Sequence, residues 1–403
     1  MIENERVAQV NPLARGTVLL HIGPPKTGTS ALQSACHAQR DRLKAAGVHY
    51  AGAGVQPSAA AFAAIARAHP STGRAPSRRH WESLVREVRG VRNASVLISS
   101  EFFAGADEEQ ARAVVAALGG DRVHIAVTLR PLAKILGSRW QQNVQEGAHI
   151  SYLDWLGAVL NEPNSSHAQR FWSRQRHDAL IARWVSATAP NRVHVIVVDD
   201  RDHVGILRSF EQLLGVPEGT LAPHRDALNR SLTLEEVEAV RAFNEQFDEA
   251  KLAPSLRHKL MARGAATHLK RRTPDPSEAK IVTPAWAVDR ALEIGAEMVA
   301  TIESSGVNVD GDLSLLSRES SRAAASSDPS TIENVAIRPE IAARMAMGIL
   351  FASGATHGYE ERSRVPAWGE PYDLQRVTTL QLVSVAVQRT LSAAWRRIRR
   401  LRR

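Results

Sequence analysis

The chain has 403 residues, 44% of them hydrophobic and 23% charged, a composition that supports an extensive core and lies outside the range of disordered chains. One cysteine, Cys36, excludes an intramolecular disulfide framework and a cysteine-built zinc site. Seven units of the formal net charge of +9 sit in the arginines of the last 17 residues, leaving about +2 for everything before them, so a broad nucleic-acid-binding face is not expected. No apolar run approaches the ~18 residues of a spanning helix, and the first 16 residues carry acids and no apolar stretch of the secretory kind. The expected location is the cytoplasm.

In chain order, residues 1–16 read as a flexible leader. TVLLHIG (17–23) is a short apolar run of the kind that forms a buried parallel strand. After the turn GPPKTGTS, the spacing of Leu32, Cys36 and Leu43 predicts a helix that stops at Gly47. VHYAG follows as a second short run. A helix over WESLVREVRG leads to a strand at 95–100, and EEQARAVVAALGG to a strand at 122–130. A helix is expected after Arg130 and another over 170–187, before a fourth strong strand at 192–200. This alternation predicts an α/β fold, a P-loop-like three-layer arrangement around a mostly parallel sheet. From about 231 the pattern becomes helical, and 306–313 reads as a closing turn. The expected organisation is an α/β domain over 17–316, a Ser/Ala-rich linker over 317–330 and a helical C-terminal extension over 331–403.

The piece richest in chemistry is Gly23-Pro24-Pro25-Lys26-Thr27-Gly28-Thr29-Ser30, set between a strand and a helix. Backbone N–H groups and the helix N-terminus converge there on an anion. Gly28 permits a tight turn, Thr27, Thr29 and Ser30 offer hydroxyls, and Lys26 adds a compact cation. The spacing resembles a Walker-type loop but has Thr29 where that loop has its lysine, which weakens a kinase or NTPase reading. That alternative gains a little from Asp199, which follows an apolar strand.

HIGPPKTGTSALQ resembles the 5′-phosphosulfate-binding loop of sulfotransferases that use 3′-phosphoadenosine 5′-phosphosulfate (PAPS). The family's second motif, an Arg after a strand and a Ser eight residues later, has its counterpart in Arg130, beside Pro131, and Ser138. The resemblance spans about 17–230 and is weaker to about 313. It implies PAPS as sulfuryl donor, PAP as product, no metal requirement, and binding of the 3′-phosphate by Arg130 and Ser138. GDRVHIAVTLRP and the following RW resemble carbohydrate- and lipid-directed bacterial members, which implies a carbohydrate or glycolipid hydroxyl as acceptor.

Sulfuryl transfer needs a base for the acceptor hydroxyl and a cation for the charge growing on the leaving nucleotide. Lys26, one of seven lysines, is the expected leaving-group stabiliser. Glu101, after the strand SVLISS and beside Phe102 and Phe103, is the expected base in a desolvated setting. His177, with Asp178, is a second candidate base or a substrate contact. His21, inside the first strand, reads as a packed residue supporting the loop. Trp140, Trp155, Trp172 and Trp184 fall at helical spacings that favour core positions. Asn229-Arg230-Ser231 is a weak candidate for covering the nucleotide. No histidine spacing suggests a metal site. Residues 374–403 draw as a basic amphipathic helix with Trp395 at its apolar edge, suited to peripheral contact with an anionic membrane surface on its cytoplasmic side, or to a homodimer contact.

Overall fold

The structure, a computed structural model, describes residues 11–68, 75–223, 230–318 and 335–354. The chain divides into two compact units, Met1–Ala352 and Ser353–Arg403; the account below concerns the first. The linker expected at 317–330 and the basic segment at 374–403 lie almost entirely outside the described residues.

The elements run β1 Val18–His21, α1 Thr29–Ala38, α2 Arg40–Ala45, β2 Val48–Tyr50, α3 Ser58–Ala64, α4 Arg78–Gly90, β3 Ser95–Ser99, α5 Glu108–Leu118, β4 Val123–Leu129, α6 Leu132–Gln145 and α7 Tyr152–Asn161. They continue with α8 Ser166–Gln175, α9 His177–Ala187, β5 Val193–Val197, α10 Gly205–Leu214, α11 Leu234–Glu249, α12 Pro254–Leu260, α13 Ala266–Lys270, α14 Ala285–Ser304, β6 Asn308–Asp310 and α15 Pro339–Ser353. The strands form one six-stranded sheet in the order β2-β3-β1-β4-β5-β6, and every pairing is parallel.

The strands are apolar on both faces because helices cover both. Val18 and Leu20 of β1, Val96 and Ile98 of β3, Val123, Ile125, Val127 and Leu129 of β4, and Val193 and Val195 of β5 face one core, with α4, α5 and α9. The intervening residues Leu19, Leu97, Ala126 and Ile196 face a second core, with α1, α2 and α10. This period of two is what a strand buried on both sides requires. A third core lies among α6, α7, α11, α13 and α14, around Trp140 and Trp155. Trp140, Trp155 and Trp184 are fully buried, and Trp172 donates its indole N–H to the Val159 carbonyl at 2.8 Å.

Three local readings are corrected. The turn expected at 306–313 contains β6, which pairs with β5 through Asn308, Val309 and Asp310; three residues are too short to announce themselves as a strand. The helix expected over 170–187 is two helices, broken at Arg176 (ψ 85°), where the His177 N–H turns to the Met298 sulfur. The helix ending at Gly47 breaks at Gln39. Of the expected leader, residues 11–16 are described, and the Leu13 N–H donates to the Leu213 carbonyl of α10. The helical extension expected over 331–403 supplies α15, whose Ile341 is buried in the third core.

The sheet order changes direction at β1. The chain lays β2 and β3 to one side of it, then crosses to β4, β5 and β6 on the other. Open α/β sheets bind ligands at such a reversal, outside the carboxyl ends of the strands. Lys26 follows β1, Glu101 follows β3, Arg130 follows β4 and Asp200 follows β5. The topology alone brings these four residues to one edge.

Candidate active site

The loop after β1 is stitched to β4: the Ile22 N–H donates to the Ala126 carbonyl and the Thr128 N–H to the Gly23 carbonyl, both at 3.0 Å. Lys26 (φ 76°) and Gly28 (φ 86°) then adopt left-handed conformations. For Gly28 this carries no steric penalty; for Lys26 it costs about 1–3 kcal/mol, which the surrounding loop must offset. Gly28 is the N-cap of α1, and no side chain caps this helix. Among the described residues, the N–H groups of Lys26, Thr27, Gly28, Thr29 and Ser30 donate to no protein acceptor. Uncapped donors at the positive end of a helix form a cradle for an anion.

Lys26 has no ion-pair partner among the described residues. Burial pushes its ammonium down to about 8, Arg139 and Lys270 push the same way, and Glu146 and Glu101 oppose them. A partly desolvated cation without a carboxylate of its own is available to a phosphate or sulfate oxygen.

The Thr27 hydroxyl is otherwise engaged. It donates to the Pro24 carbonyl at 2.6 Å and lies 2.7 Å from the Thr128 hydroxyl. Thr128 meets His21 Nε2 at 3.1 Å, and His21 Nδ1 meets the Ser99 hydroxyl at 2.8 Å. This buried chain ties β3, β1 and β4 to the loop, and burial holds His21 neutral, its pKa lowered to about 3. What Thr27 offers a ligand is therefore its backbone N–H. Thr29 is buried, and Ser30 is exposed at the mouth of the cradle.

Glu101 opens the short 3₁₀ turn Glu101–Gly105 that follows β3. It lies against the loop itself: a Cβ added to Gly23 would stand 2.8 Å from Glu101 Cβ and 3.0 Å from its Cα. The carboxylate accepts from Gln33 Nε2 at 2.9 Å and from Gln56 Nε2 at 3.5 Å, while Gln56 Oε1 accepts from the Ser100 hydroxyl at 2.8 Å. The flanking phenylalanines do not wrap the carboxylate. Phe103 is fully buried in the first core, and Phe102 packs on Phe62 with centroids 4.2 Å apart. Two amides, rather than aromatic desolvation, fix Glu101.

Arg130 and Ser138 line a cavity of about 740 Å³ together with Gly137, Gln141, Ser231 and Lys280. Ser138 sits two turns into α6, its hydroxyl donating to the Ile135 carbonyl at 2.9 Å, a local bond that the hydroxyl exchanges when it donates to a ligand oxygen in the cavity. Arg130 Nη2 bonds Asp200 Oδ2 at 2.8 Å, and its buried Nε has no partner among the described residues. Of the triplet 229–231, Asn229 lies outside the described residues, Ser231 lines this cavity, and Arg230 pairs with the buried Glu236 at 2.7 Å.

His177 is 1% exposed, at the start of α9. Burial lowers its pKa to about 4, and its Nδ1 has no partner among the described residues. Nε2 lies 3.4 Å from Gln175 Oε1, and Gln175 Nε2 donates to the Pro25 carbonyl at 3.1 Å. His177 thus stands behind the loop through Gln175, away from the open cleft. Asp178 is paired with Arg176 at 2.9 Å.

Asp199 follows β5, which β4 separates from β1. It is clasped by Arg201, at 2.6 Å from one Nη, and lies among Asp202, Asp310 and Asp312 rather than at the loop. The place of a Walker aspartate, beside the phosphate loop, is not where it stands.

Sequence reasoning missed Gln33, Gln56 and Gln175, the amides that hold Glu101 and the loop. Gln33, 2% exposed on the otherwise apolar face of α1, is the one a sequence signal marks: a polar residue between Leu32 and Cys36.

The fold and this geometry define an α/β protein with a strand–loop–helix turn, uncapped by any side chain, at the reversal point of a parallel sheet. No family model and no curated protein matches the chain. Among solved structures it is similar to a sulfotransferase from Alicyclobacillus acidocaldarius, at 19% identity and a TM-score of 0.37, over 59% of this chain and 96% of that one. Among the described residues no helix is long and apolar enough to cross a membrane.

Proposed function

We propose that the chain is a sulfotransferase that moves a sulfuryl group from PAPS to a hydroxyl of a carbohydrate or glycolipid. The observation that carries the reading is the seating of Glu101 against the loop at Gly23. It brings a carboxylate, a lone lysine and a cradle of backbone donors to one spot. Glu101 takes the acceptor's hydroxyl proton, the acceptor oxygen forms a bond to sulfur, and the bond from sulfur to the bridging oxygen of the donor breaks, leaving PAP. Lys26 and the N–H groups of residues 26–30 stabilise the negative charge growing on that oxygen. Arg130, with its unpartnered Nε, and Ser138 hold the 3′-phosphate in the adjoining cavity.

His177 supports the loop through Gln175 in this reading and does not act as the base. A neutral, buried imidazole without solvent access does not reach an acceptor hydroxyl. Peripheral membrane contact through residues 374–403 is a companion proposal, and it suits a glycolipid acceptor.

The test is the variant Glu101→Gln, followed by PAP release from PAPS in the presence of a set of glycosides. The expected result is PAP binding within twofold of the parent and turnover lowered by about 10²–10⁴-fold, the contribution of a general base. Unchanged turnover overturns the assignment.

A further inference from the structure

The short turn that carries Glu101 ends at Gly105, and two guanidinium groups crowd it. Arg67 Nη1 lies 2.7 Å and Arg174 Nε 3.6 Å from where a Cβ on Gly105 would stand. A third, Arg183, reaches the carbonyl of Ala104 at 3.4 Å. The absence of a side chain at Gly105 lets both guanidiniums approach this closely. Arg174 is half-buried, and its pKa is pushed down to about 10 by burial first and then by Arg67, Arg139 and Arg170. Arg139 is 4% exposed and bonds only Asn143, a neutral residue, at 3.3 Å. Lys26 feels Arg139 as well.

Like charges gathered this way repel, and burying them adds a desolvation cost. Several buried or half-buried arginines elsewhere are matched by carboxylates. Arg272 grips Glu278 and Glu236, Arg230 grips Glu236, and Arg257 grips Asp248. Among the described residues Arg67, Arg139, Arg170 and Arg174 have no such partner. Two acids act on the cluster: Glu146 on Arg139 and Arg174, and Asp107 on Arg183. Glu146 accepts from the Gln142 amide at 2.9 Å and borders, with Arg170, Asn143 and His167, a cavity of about 610 Å³. Two carboxylates against the five guanidiniums of Arg67, Arg139, Arg170, Arg174 and Arg183 leave a surplus of positive charge.

This surplus is separate from the nucleotide side. Ser138 and Gly137 of α6 face the cavity that holds Arg130. Arg139, one residue and about 100° further round the helix, aligns instead with Asn143 and Glu146.

We propose that the acceptor is an acidic sugar, whose carboxylate or sulfate is held by Arg67 and Arg174 at Gly105 while its hydroxyl is presented to Glu101. The inference rests on the sulfotransferase reading and narrows it to an anionic acceptor. A guanidinium pair grips an oxyanion through forked hydrogen bonds, and the surplus positive charge steers such a molecule into the cleft.

The experiment compares phenyl β-glucuronide with its methyl ester, which lacks the charge and adds one methyl group, by calorimetric titration of the full chain with and without saturating PAP. The expected result is binding of the glucuronide at least tenfold tighter than of the ester. Arg67→Ala, at an exposed position, should reduce that ratio to below threefold and leave PAP affinity within twofold. Equal affinity for the two compounds, or binding of neither, overturns the proposal. PAP titration of the same sample separates the two claims. Failure to bind PAP contradicts the sulfotransferase reading, whereas PAP binding without preference for the glucuronide contradicts only the acidic acceptor.

Discussion

Gly23 and Glu101 touch: with a Cβ on Gly23, the two side chains would stand 2.8 Å apart. Gly23 also has φ 81°, so two independent constraints require glycine at the start of the loop. Gly23→Ala should lower stability by about 1–3 kcal/mol and displace Glu101 from the cradle. Urea denaturation reads the first effect. PAP release from PAPS reads the second, with a loss of turnover larger than the loss of PAP affinity.

Lys26 gives the site a pH signature. Its pKa in the free protein is lowered to about 8, and an anion is held by the charged form. PAP affinity should be flat below about pH 7.5 and fall above pH 8, by up to about tenfold per pH unit. Lys26→Arg, which keeps its charge over this range, should remove the dependence. Titrations between pH 6.5 and 9.5 check both.

The ion pair between Arg130 and Asp200 must open or be shared when a phosphate arrives. Asp200→Asn should therefore tighten PAP binding severalfold, and Arg130→Ala should weaken it by at least tenfold. Both effects should be smaller for ADP, which lacks the 3′-phosphate.

The buried histidines make the fold acid-sensitive. His21 and His177 are held neutral by burial, with pKa values lowered to about 3 and about 4. Unfolded, each titrates near the ordinary value of about 6.5. Between these values the unfolded chain binds more protons, so the stabilisation present above pH 6.5 is lost as pH falls toward the folded values. At pH 5 each should cost about 2 kcal/mol relative to pH 7.5. Urea denaturation at the two pH values measures this, and His177→Gln should reduce the difference.

Much of the fold was legible because the strands are buried on both faces. Val18–His21, Val123–Leu129 and Val193–Val197 read as mostly apolar runs, and the loop of residues 23–30 sits between a strand and a helix as its glycines suggest. Asn308–Asp310 was not legible, since three residues at the sheet edge carry little hydrophobic pattern. The position of Glu101 at the carboxyl end of a strand was readable, but its restraint by Gln33 and Gln56 was not. Those contacts span 68 and 45 residues, and only the tertiary packing brings them together. The same holds for the arginines at Gly105: Arg67 and Arg174 are more than 100 residues apart in the sequence and carry no shared motif. Thr27 looked like a ligand because its hydroxyl is in the loop; its engagement by Pro24 and Thr128 depends on β4 lying beside β1.

The central claim is that the loop after β1 and Arg130 together read a nucleotide bearing a 3′-phosphate. Calorimetric titration of the purified chain with PAP, beside ADP and ATP with and without Mg²⁺, tests it most directly. The account predicts PAP binding that does not depend on Mg²⁺ and is at least tenfold tighter than ADP binding. Mg²⁺-dependent ATP binding with no preference for PAP would contradict it and point to phosphoryl transfer instead.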